Sequence, residues 1–445
     1  MALDVAMQSL TGIAIVLGVG LLVSVFSRKM RLASVLLLLL VGLGMNYISA
    51  IGFLPISFGS SFVVTIALLT LILVVFDGSS RFKMRMIDEF SGLSLKLFSL
   101  FLLLSLVVIS LLSSWLFFGS ITLNYILLSM IFAITLVGTD PTSMFSILKS
   151  SSHKAIQLLK IESIINTPFT VILPFIAMEI LVNVQSDVSS VVLGQISPLI
   201  LQIAAGIGMG VLLGYILSKV LKKYYSKDLS PIFLITFALI GYLLTEFIGG
   251  SGVLGVATMG LFFGNAVIRK RDDLVSFNDV LSTIFVILVF VLVGFIIPIN
   301  FEVLFLFKVF VVYLVAVVLR FLALHYTLPK SKFNRDKKIF MALMMPKGIA
   351  VAVVVLSMSA LVFEGAESSV SVISSVIVMS MILSLLIATV LSRFDKFFLS
   401  QTLGEKKLLE EERLLKKKEL ALEKEIVKKD KILQKKKAGR INKTK

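Results

Sequence analysis

One acidic residue, Asp140, lies inside a long apolar stretch of the chain, between Thr139 and Pro141. A carboxylate at membrane depth costs roughly 2.5–3.5 kcal/mol on insertion scales, so it needs a function or a structural partner there. As a functional group it would bind a cation, a proton, or both in competition. As a structural group it would cap the half-helix that begins at Pro141. The sequence leaves both roles open.

Further polar residues lie on the next apolar stretch. Ser163, Asn166 and Thr167 offer neutral oxygen atoms at helical spacing, and hard cations prefer oxygen ligands. The same residue types also join membrane helices through hydrogen bonds, which is their ordinary role. Glu162 precedes them, and we predict that it forms a structural ion pair with Arg320, because pairing removes two isolated charges from the membrane.

Two prolines predict breaks in apolar helices. Pro141 follows Gly138-Thr139-Asp140, and Pro346 lies in the segment Met344-Met345-Pro346-Lys347-Gly348. Proline lacks a backbone donor and clashes with the preceding turn, so a helix is expected to break at each position. The ends of half-helices carry opposed dipoles, which Asp140 and Lys347 would compensate.

The composition indicates a polytopic membrane protein. Of 445 residues, 58% are hydrophobic and 16% are charged, whereas soluble proteins average about 45–50% and 25%. With 0 cysteines and 2 histidines, thiolate zinc sites, iron–sulfur clusters, cysteine nucleophiles and HExxH metalloprotease sites are excluded. The chain also has no G-x-x-x-x-G-K-[ST] loop for ATP, and no nucleophile–base pair stands out. We therefore expect neither an enzyme nor a cofactor.

Thirteen apolar stretches have the length of a membrane span. The sequence therefore predicts an all-α polytopic fold with about 13 transmembrane helices. Their approximate ranges are 8–27, 32–48, 61–77, 97–118, 122–148, 157–184, 194–218, 230–248, 252–268, 279–298, 302–324, 338–363 and 369–392.

The loops between these stretches predict the orientation. Every second loop is basic, and the alternate loops, such as those near 49–60 and 185–192, contain no Lys or Arg. By the positive-inside rule the N-terminus lies outside and the C-terminus inside. Asp77, which ends the third span, is then either an acid at the cytoplasmic entrance or an interfacial charge opposite Arg81.

The positions of the two breaks predict an internal repeat. With the seventh span as a linker, each half has six spans, and the break falls in the fifth span of each half. Six spans on either side of a single linking span give the halves opposite orientations. This arrangement is typical of secondary transporters with inverted repeats and two discontinuous helices.

The formal charge of +17 follows topology and does not indicate nucleic-acid binding. Residues 405–445 hold 16 Lys/Arg and 8 Asp/Glu, and the remaining 27 Lys/Arg and 18 Asp/Glu belong largely to loops between spans. We predict a membrane domain over 1–395 and a basic cytoplasmic tail over 396–445. The tail is either a helix with a short coiled coil or a solvated segment near anionic membrane lipid.

Four stretches resemble the monovalent cation:proton antiporter superfamily, in particular its sodium/proton exchanger branch. Gly138-Thr-Asp-Pro141 resembles the signature of the broken fifth helix, and Glu162-Ser-Ile-Ile-Asn166 resembles that of the sixth. The other two stretches are Glu246-Phe-Ile-Gly-Gly-Ser-Gly-Val-Leu-Gly255 followed by Gly260-Leu-Phe-Phe-Gly-Asn265, and Pro346-Lys-Gly-Ile-Ala-Val-Ala352.

The resemblance implies a homodimer that exchanges Na⁺ or K⁺ for protons by alternating access. The sequence does not identify the organism, and a prokaryotic cell membrane is the simplest location for the protein. Asp140 and Thr139 would line its ion site, Ser163 and Asn166 would contribute to it, and Asp77 matches an acid that ends the third helix. Residue by residue, Glu162 matches the acid that pairs with Arg320, and Lys347 replaces an Arg.

One departure from the family pattern affects the mechanism. The branch has an Asp after the Asn, as the main ligand for the ion and the proton, and this chain has Thr167, which does not titrate in the relevant range. Either Asp140, with Asp77 or Glu162, has taken over the titration, or coupling is altered or absent. The alternatives are therefore an uncoupled or differently coupled carrier and a non-transporting membrane scaffold or sensor.

Overall fold

The structure is a computed structural model that describes residues 2–30, 33–51, 58–80, 84–141, 143–144, 148, 153–182, 188–226, 229–266, 271–329, 333–360, 367–394 and 398. Within these ranges the chain forms fourteen α-helices and no β-strand. In chain order the helices are α1 (Ala2–Met30), α2 (Ser34–Ala50), α3 (Ser60–Ser80), α4 (Met84–Phe118), α5 (Leu123–Val137), α6 (Lys154–Val182), α7 (Val188–Lys223), α8 (Leu229–Phe247), α9 (Gly252–Asn265), α10 (Arg271–Ile296), α11 (Val303–Thr327), α12 (Arg335–Leu343), α13 (Ile349–Ala360) and α14 (Glu367–Leu391).

Most of these helices are apolar enough for a membrane. Eight of the described helices are long and apolar enough to cross one, and five further apolar helices are shorter. Each predicted span overlaps a helix, and the predicted all-α polytopic class is confirmed. The predicted basic tail over 396–445 lies outside the described residues except for Phe398.

The described helices pack in two groups. The first group consists of α4, α5, α6, α11, α13 and α14. In the second group, α1 and α2 pack on α10, while α7 and α8 pack on α9. Helix α3 contacts α9 and α10 of the second group and α13 of the first. Any displacement of one group along the other therefore involves α3.

Close packing fixes α3 against α9. A Cβ atom at Gly260 would collide with the side chain of Ser79, and one at Gly264 would collide with the backbone of Ser80. Small residues allow membrane helices to approach in this way, since dispersion contacts replace the missing hydrophobic driving force. The end of α3 that carries Asp77 is thereby held beside α9.

Two of the predicted spans are interrupted where proline predicts a break. Helix α5 ends at Val137, and Gly138 is extended, with φ −61° and ψ 133°. Helices α12 and α13 are separated by the irregular residues 344–348. Both interruptions are buried inside the first group of helices, and irregular backbone at membrane depth requires such a setting.

Candidate ion-binding site

The two irregular segments cross in direct contact. The backbone N–H of Asp140 donates a hydrogen bond to the carbonyl oxygen of Pro346, with an N–O distance of 2.9 Å. A Cβ atom at Gly348 would collide with the Asp140 carboxylate. The crossing therefore needs glycine at 348, because any larger residue would displace the acid or the start of α13.

Lys347 compensates the carboxyl end of α5. Its ammonium group donates to the carbonyl oxygen of Gly138 at 2.8 Å and also to that of Leu136. Its backbone N–H donates to the hydroxyl oxygen of Ser384 on α14 at 3.3 Å. The last carbonyls of a helix lack intrahelical partners and form its negative end, so the backbone of α5 supplies hydrogen-bond partners for this buried ammonium group.

Asp140 accepts hydrogen bonds from backbone N–H groups on its own segment and at the start of α13. Its Oδ2 accepts a hydrogen bond from the backbone N–H of Ser143 at 2.6 Å, as an N-cap does. The backbone N–H of Ile349, the first residue of α13, also donates to this carboxylate. A carboxylate offers about four acceptor positions, so the capping bonds leave capacity for an ion or a proton.

The side-chain amide of Asn166, on α6, holds the extended segment that contains Thr139. The Nδ2 of Asn166 donates to the Oγ1 of Thr139 at 2.9 Å, and its Oδ1 accepts from the backbone N–H of Thr139 at 3.5 Å. The hydroxyl of Thr167 donates to the carbonyl of Ser163, whose own hydroxyl donates to the carbonyl of Lys160 at 2.8 Å. Asn166 therefore positions Thr139, and Ser163 joins the turns of α6.

A small cavity lies between these elements. Its volume is about 10 Å³, and the residues around it are Gly138, Thr139, Asp140, Thr167, Thr170, Gly348, Ala350 and Val351. A volume of about 10–15 Å³ is the minimum that holds one water, so the cavity accommodates a single water or a dehydrated monovalent cation. One acid and three threonines face the same space. This donor set matches a hard cation.

Glu162 and Arg320, which the sequence predicts to pair, form a buried ion pair. The Oε2 of Glu162 lies 2.8 Å from the Nη2 of Arg320, and both side chains are fully buried. The Nε of Arg320 also donates to the carbonyl of Met341, near the end of α12, at 3.2 Å. The pair thus joins α6 and α11 to the half-helix that leads to Lys347.

Asp77 lies near the break but not among the residues around the cavity. It is half-buried, and the Cβ position at the adjacent Gly78 is 3.9 Å from the Cβ of Pro141. Sequence reasoning missed Thr170 and the role of Gly348. Thr170 continues the helical spacing of Ser163, Asn166 and Thr167, and that spacing was the available signal. Nothing in the sequence indicated the contact at Gly348.

The chain matches a known family over most of its length. The profile of the family described as "Sodium/hydrogen exchanger, transmembrane" matches residues 13–393. The K(+)/H(+) antiporter NhaP2 of Shewanella sp. (strain ANA-3) is 27% identical over 288 residues, which are 63% of this chain and 48% of that protein. The NhaP2 of Shewanella baltica (strain OS223) has the same identity and coverage. The chain spans about half the length of the curated relatives it matches.

A solved structure has the same fold. It is the sodium proton antiporter MjNhaP1 from Methanocaldococcus jannaschii, with a TM-score of 0.72 and 20% sequence identity. The match covers 90% of this chain and 100% of that one. The chain is a multi-pass membrane protein, and its bacterial relatives support a prokaryotic cell membrane.

Proposed function

Because the chain belongs to the sodium/hydrogen exchanger family, we propose that it exchanges a monovalent cation, Na⁺ or K⁺, for protons across the membrane. The family is one of cation/proton transporters, so the chain is not an enzyme. One relative is named as a K⁺/H⁺ antiporter and one structural neighbour as a sodium proton antiporter, and both cations therefore remain candidates.

The observation that carries the proposal is the position of Asp140. It is the one acid among the described residues around the small cavity at the crossing of the two breaks. The oxygens of Thr139, Thr167 and Thr170 supplement it. A cation and a proton compete for this carboxylate because each neutralises the charge that attracts the other. Competition at one site couples their movements in opposite directions when only the loaded site crosses the membrane.

The other cations and acids have structural roles in this mechanism. Lys347 binds the carbonyl end of α5, and Glu162 neutralises Arg320. In this mechanism none of these three side chains binds or releases the transported ions. Asp140 is then neutral whether it holds a monovalent cation or a proton. The loaded site carries the same charge in both directions, and exchange is electroneutral with one proton for one cation.

The architecture proposed for this exchange is thirteen spans with the N-terminus outside and the C-terminus inside. Two inverted halves would each contribute one broken helix. The group containing α4, α5, α6 and α11 would move against the group containing α1, α2 and α10, in a homodimer. Alternating access to Asp140 would follow from that movement, with Asp77 near the cytoplasmic entrance.

An uncoupled cation carrier is the second candidate, and Thr167 is the observation that favours it. A threonine at this position cannot exchange protons, so a cation would cross without a matching proton if Asp140 stayed ionised throughout. In this alternative the cation flux in vesicles generates a membrane potential. In the proposed exchange it does not.

The test is proton flux in proteoliposomes that hold a pH gradient, reported by a pH-sensitive dye. Na⁺, K⁺ and Li⁺ are added in turn to the wild type and to Asp140→Asn, because Asn keeps the cap at Ser143 but cannot ionise. Asp336→Asn, at an exposed position of α12, is the matched control. We expect a cation-dependent collapse of the gradient in the wild type and the control only. Equal activity in Asp140→Asn would remove Asp140 from the mechanism.

Thr167→Asp supplies the carboxylate that the family pattern has at this position. If Asp140 alone couples the wild type, the added acid changes the stoichiometry but is not needed for exchange. If the wild type is an uncoupled carrier, Thr167→Asp is the variant that first shows proton movement. Parallel measurement of the membrane potential with a voltage-sensitive dye separates electroneutral exchange from uncoupled cation flux, because only the uncoupled flux generates a potential.

A further inference from the structure

A second cavity, separate from the ion site, lies where α11 ends and α12 begins. Its volume is about 410 Å³, and it is lined by Phe321, His325, Phe333, Asn334, Arg335 and Lys338. None of these residues touches the small cavity around Asp140. A phosphate group with part of a lipid headgroup fits in this volume, which is within the usual range of about 300–1,000 Å³ for ligand pockets.

The lining of this cavity is basic. Of the described lining residues, His325, Arg335 and Lys338 are basic and none is acidic. His325 and Arg335 are exposed. Lys338 is 2% exposed, and its ammonium donates to the carbonyl oxygens of Leu328 at 2.6 Å and His325 at 3.3 Å. These bonds fix the positive charge of Lys338 in the cavity wall, while the guanidinium of Arg335 and the imidazole of His325 remain accessible to a ligand.

Two aromatic rings, those of Phe321 and Phe333, also line the cavity. The His325 ring lies 6.3 Å from that of Phe321 and 5.5 Å from that of Tyr326. Tyr326 is 77% exposed at the end of a membrane helix, and tyrosines are enriched at the interface between membrane and water. The cavity therefore combines basic groups with apolar rings at the depth of lipid headgroups.

We propose that this cavity binds the phosphate group of an anionic phospholipid. The planar guanidinium of Arg335 matches phosphate oxygens through paired hydrogen bonds. The charge of Lys338 and the ring nitrogens of His325 add attraction and a second donor. Phe321 and Phe333 contact the glycerol and the first acyl carbons, which free phosphate lacks, and this apolar contact favours a lipid over the inorganic ion.

The test is native mass spectrometry of the full chain in detergent, with phosphatidylglycerol, phosphatidylcholine or inorganic phosphate added. The variant Arg335→Gln removes an exposed charge, so the fold is retained, and its melting temperature is measured as a check. Lys222→Gln removes an exposed charge at the end of α7, outside the cavity, and serves as the control. One basic residue near an anionic surface corresponds to about a fivefold change in affinity.

We expect the wild type and Lys222→Gln to retain phosphatidylglycerol in preference to phosphatidylcholine. Arg335→Gln should retain about fivefold less, and adding His325→Asn should lower retention further. Equal retention by Arg335→Gln and the wild type would overturn the proposal, as would equal retention of the two lipids. Displacement of phosphatidylglycerol by millimolar inorganic phosphate, with the same dependence on Arg335, would overturn the lipid assignment in favour of free phosphate.

Discussion

Replacing Glu162 with Gln measures how much the buried ion pair with Arg320 contributes to the free energy of unfolding. Both side chains are fully buried and their charged atoms are 2.8 Å apart. At this distance the Coulombic attraction is about 6 kcal/mol for an effective dielectric constant of about 20. Gln fills the same volume, so the substitution removes the charge and leaves the packing in place.

The expected loss is smaller than the full attraction, because burying Glu162 has its own desolvation cost. Breaking a buried pair from one side costs about 3–5 kcal/mol. Arg320 would keep its bond to the carbonyl of Met341, but its charge would be uncompensated, and Glu162 also interacts electrostatically with Lys347. Removing one acid thus leaves two buried cations repelling each other, and the upper half of the range is expected.

The assay is thermal unfolding of the purified protein in detergent. The melting temperature of Glu162→Gln should fall by roughly 5–10 °C, equally with and without Na⁺ or K⁺. Glu367→Gln, an exposed position on α14, should change stability by about 0.5 kcal/mol or less. Adding Arg320→Met to Glu162→Gln should recover part of the loss, since the unpaired charge is then gone. An unchanged melting temperature in Glu162→Gln would refute the structural role.

Three further substitutions test the geometry of the ion site. Gly348→Ala should abolish exchange, because the added methyl group collides with the Asp140 carboxylate. Gly18→Ala, at a position with open space around it, should leave exchange intact. Initial exchange rates in proteoliposomes compare the two variants. Lys347→Met leaves buried carbonyls unpaired and should lower stability by about 1–3 kcal/mol, measured by thermal unfolding. Thr167→Val keeps the shape but removes an oxygen, and should weaken apparent cation affinity by about tenfold at an unchanged melting temperature.

Each of these three results could come out otherwise. Normal exchange in Gly348→Ala would mean that the crossing adjusts freely. A stable Lys347→Met variant would show that the carbonyls at the end of α5 find other partners. Unchanged cation affinity in Thr167→Val would assign its hydroxyl to holding α6 together and leave Asp140 with Thr139 and Thr170 as the ligands.

Several features of the fold and the site were predictable from local chemistry. Pro141 and Pro346 indicate breaks because proline removes a backbone donor wherever it occurs. Glu162 and Arg320, 158 residues apart in the chain, were paired because isolated charges are costly at their depth. In both cases the physical constraint acts on the residue itself.

The crossing of the two irregular segments was not predictable in the same way. Which carbonyls Lys347 binds depends on where α5 ends relative to α14, and Gly348 is required only because Asp140 approaches it. Thr170 faces the cavity because of the rotation of α6 against α13. These features depend on the packing of elements distant in sequence, and a single sequence does not contain that geometry.

The most direct test of the account is the number of protons released when a cation binds. Isothermal titration calorimetry of the purified protein, in two buffers of different ionisation enthalpy, measures this number in the pH range where Asp140 is protonated. If cation and proton compete for Asp140, binding should release about one proton per cation, since the ligand must be deprotonated. Asp140→Asn should neither bind the cation nor release a proton. Cation binding without proton release, or unchanged binding in Asp140→Asn, would contradict coupling through this carboxylate.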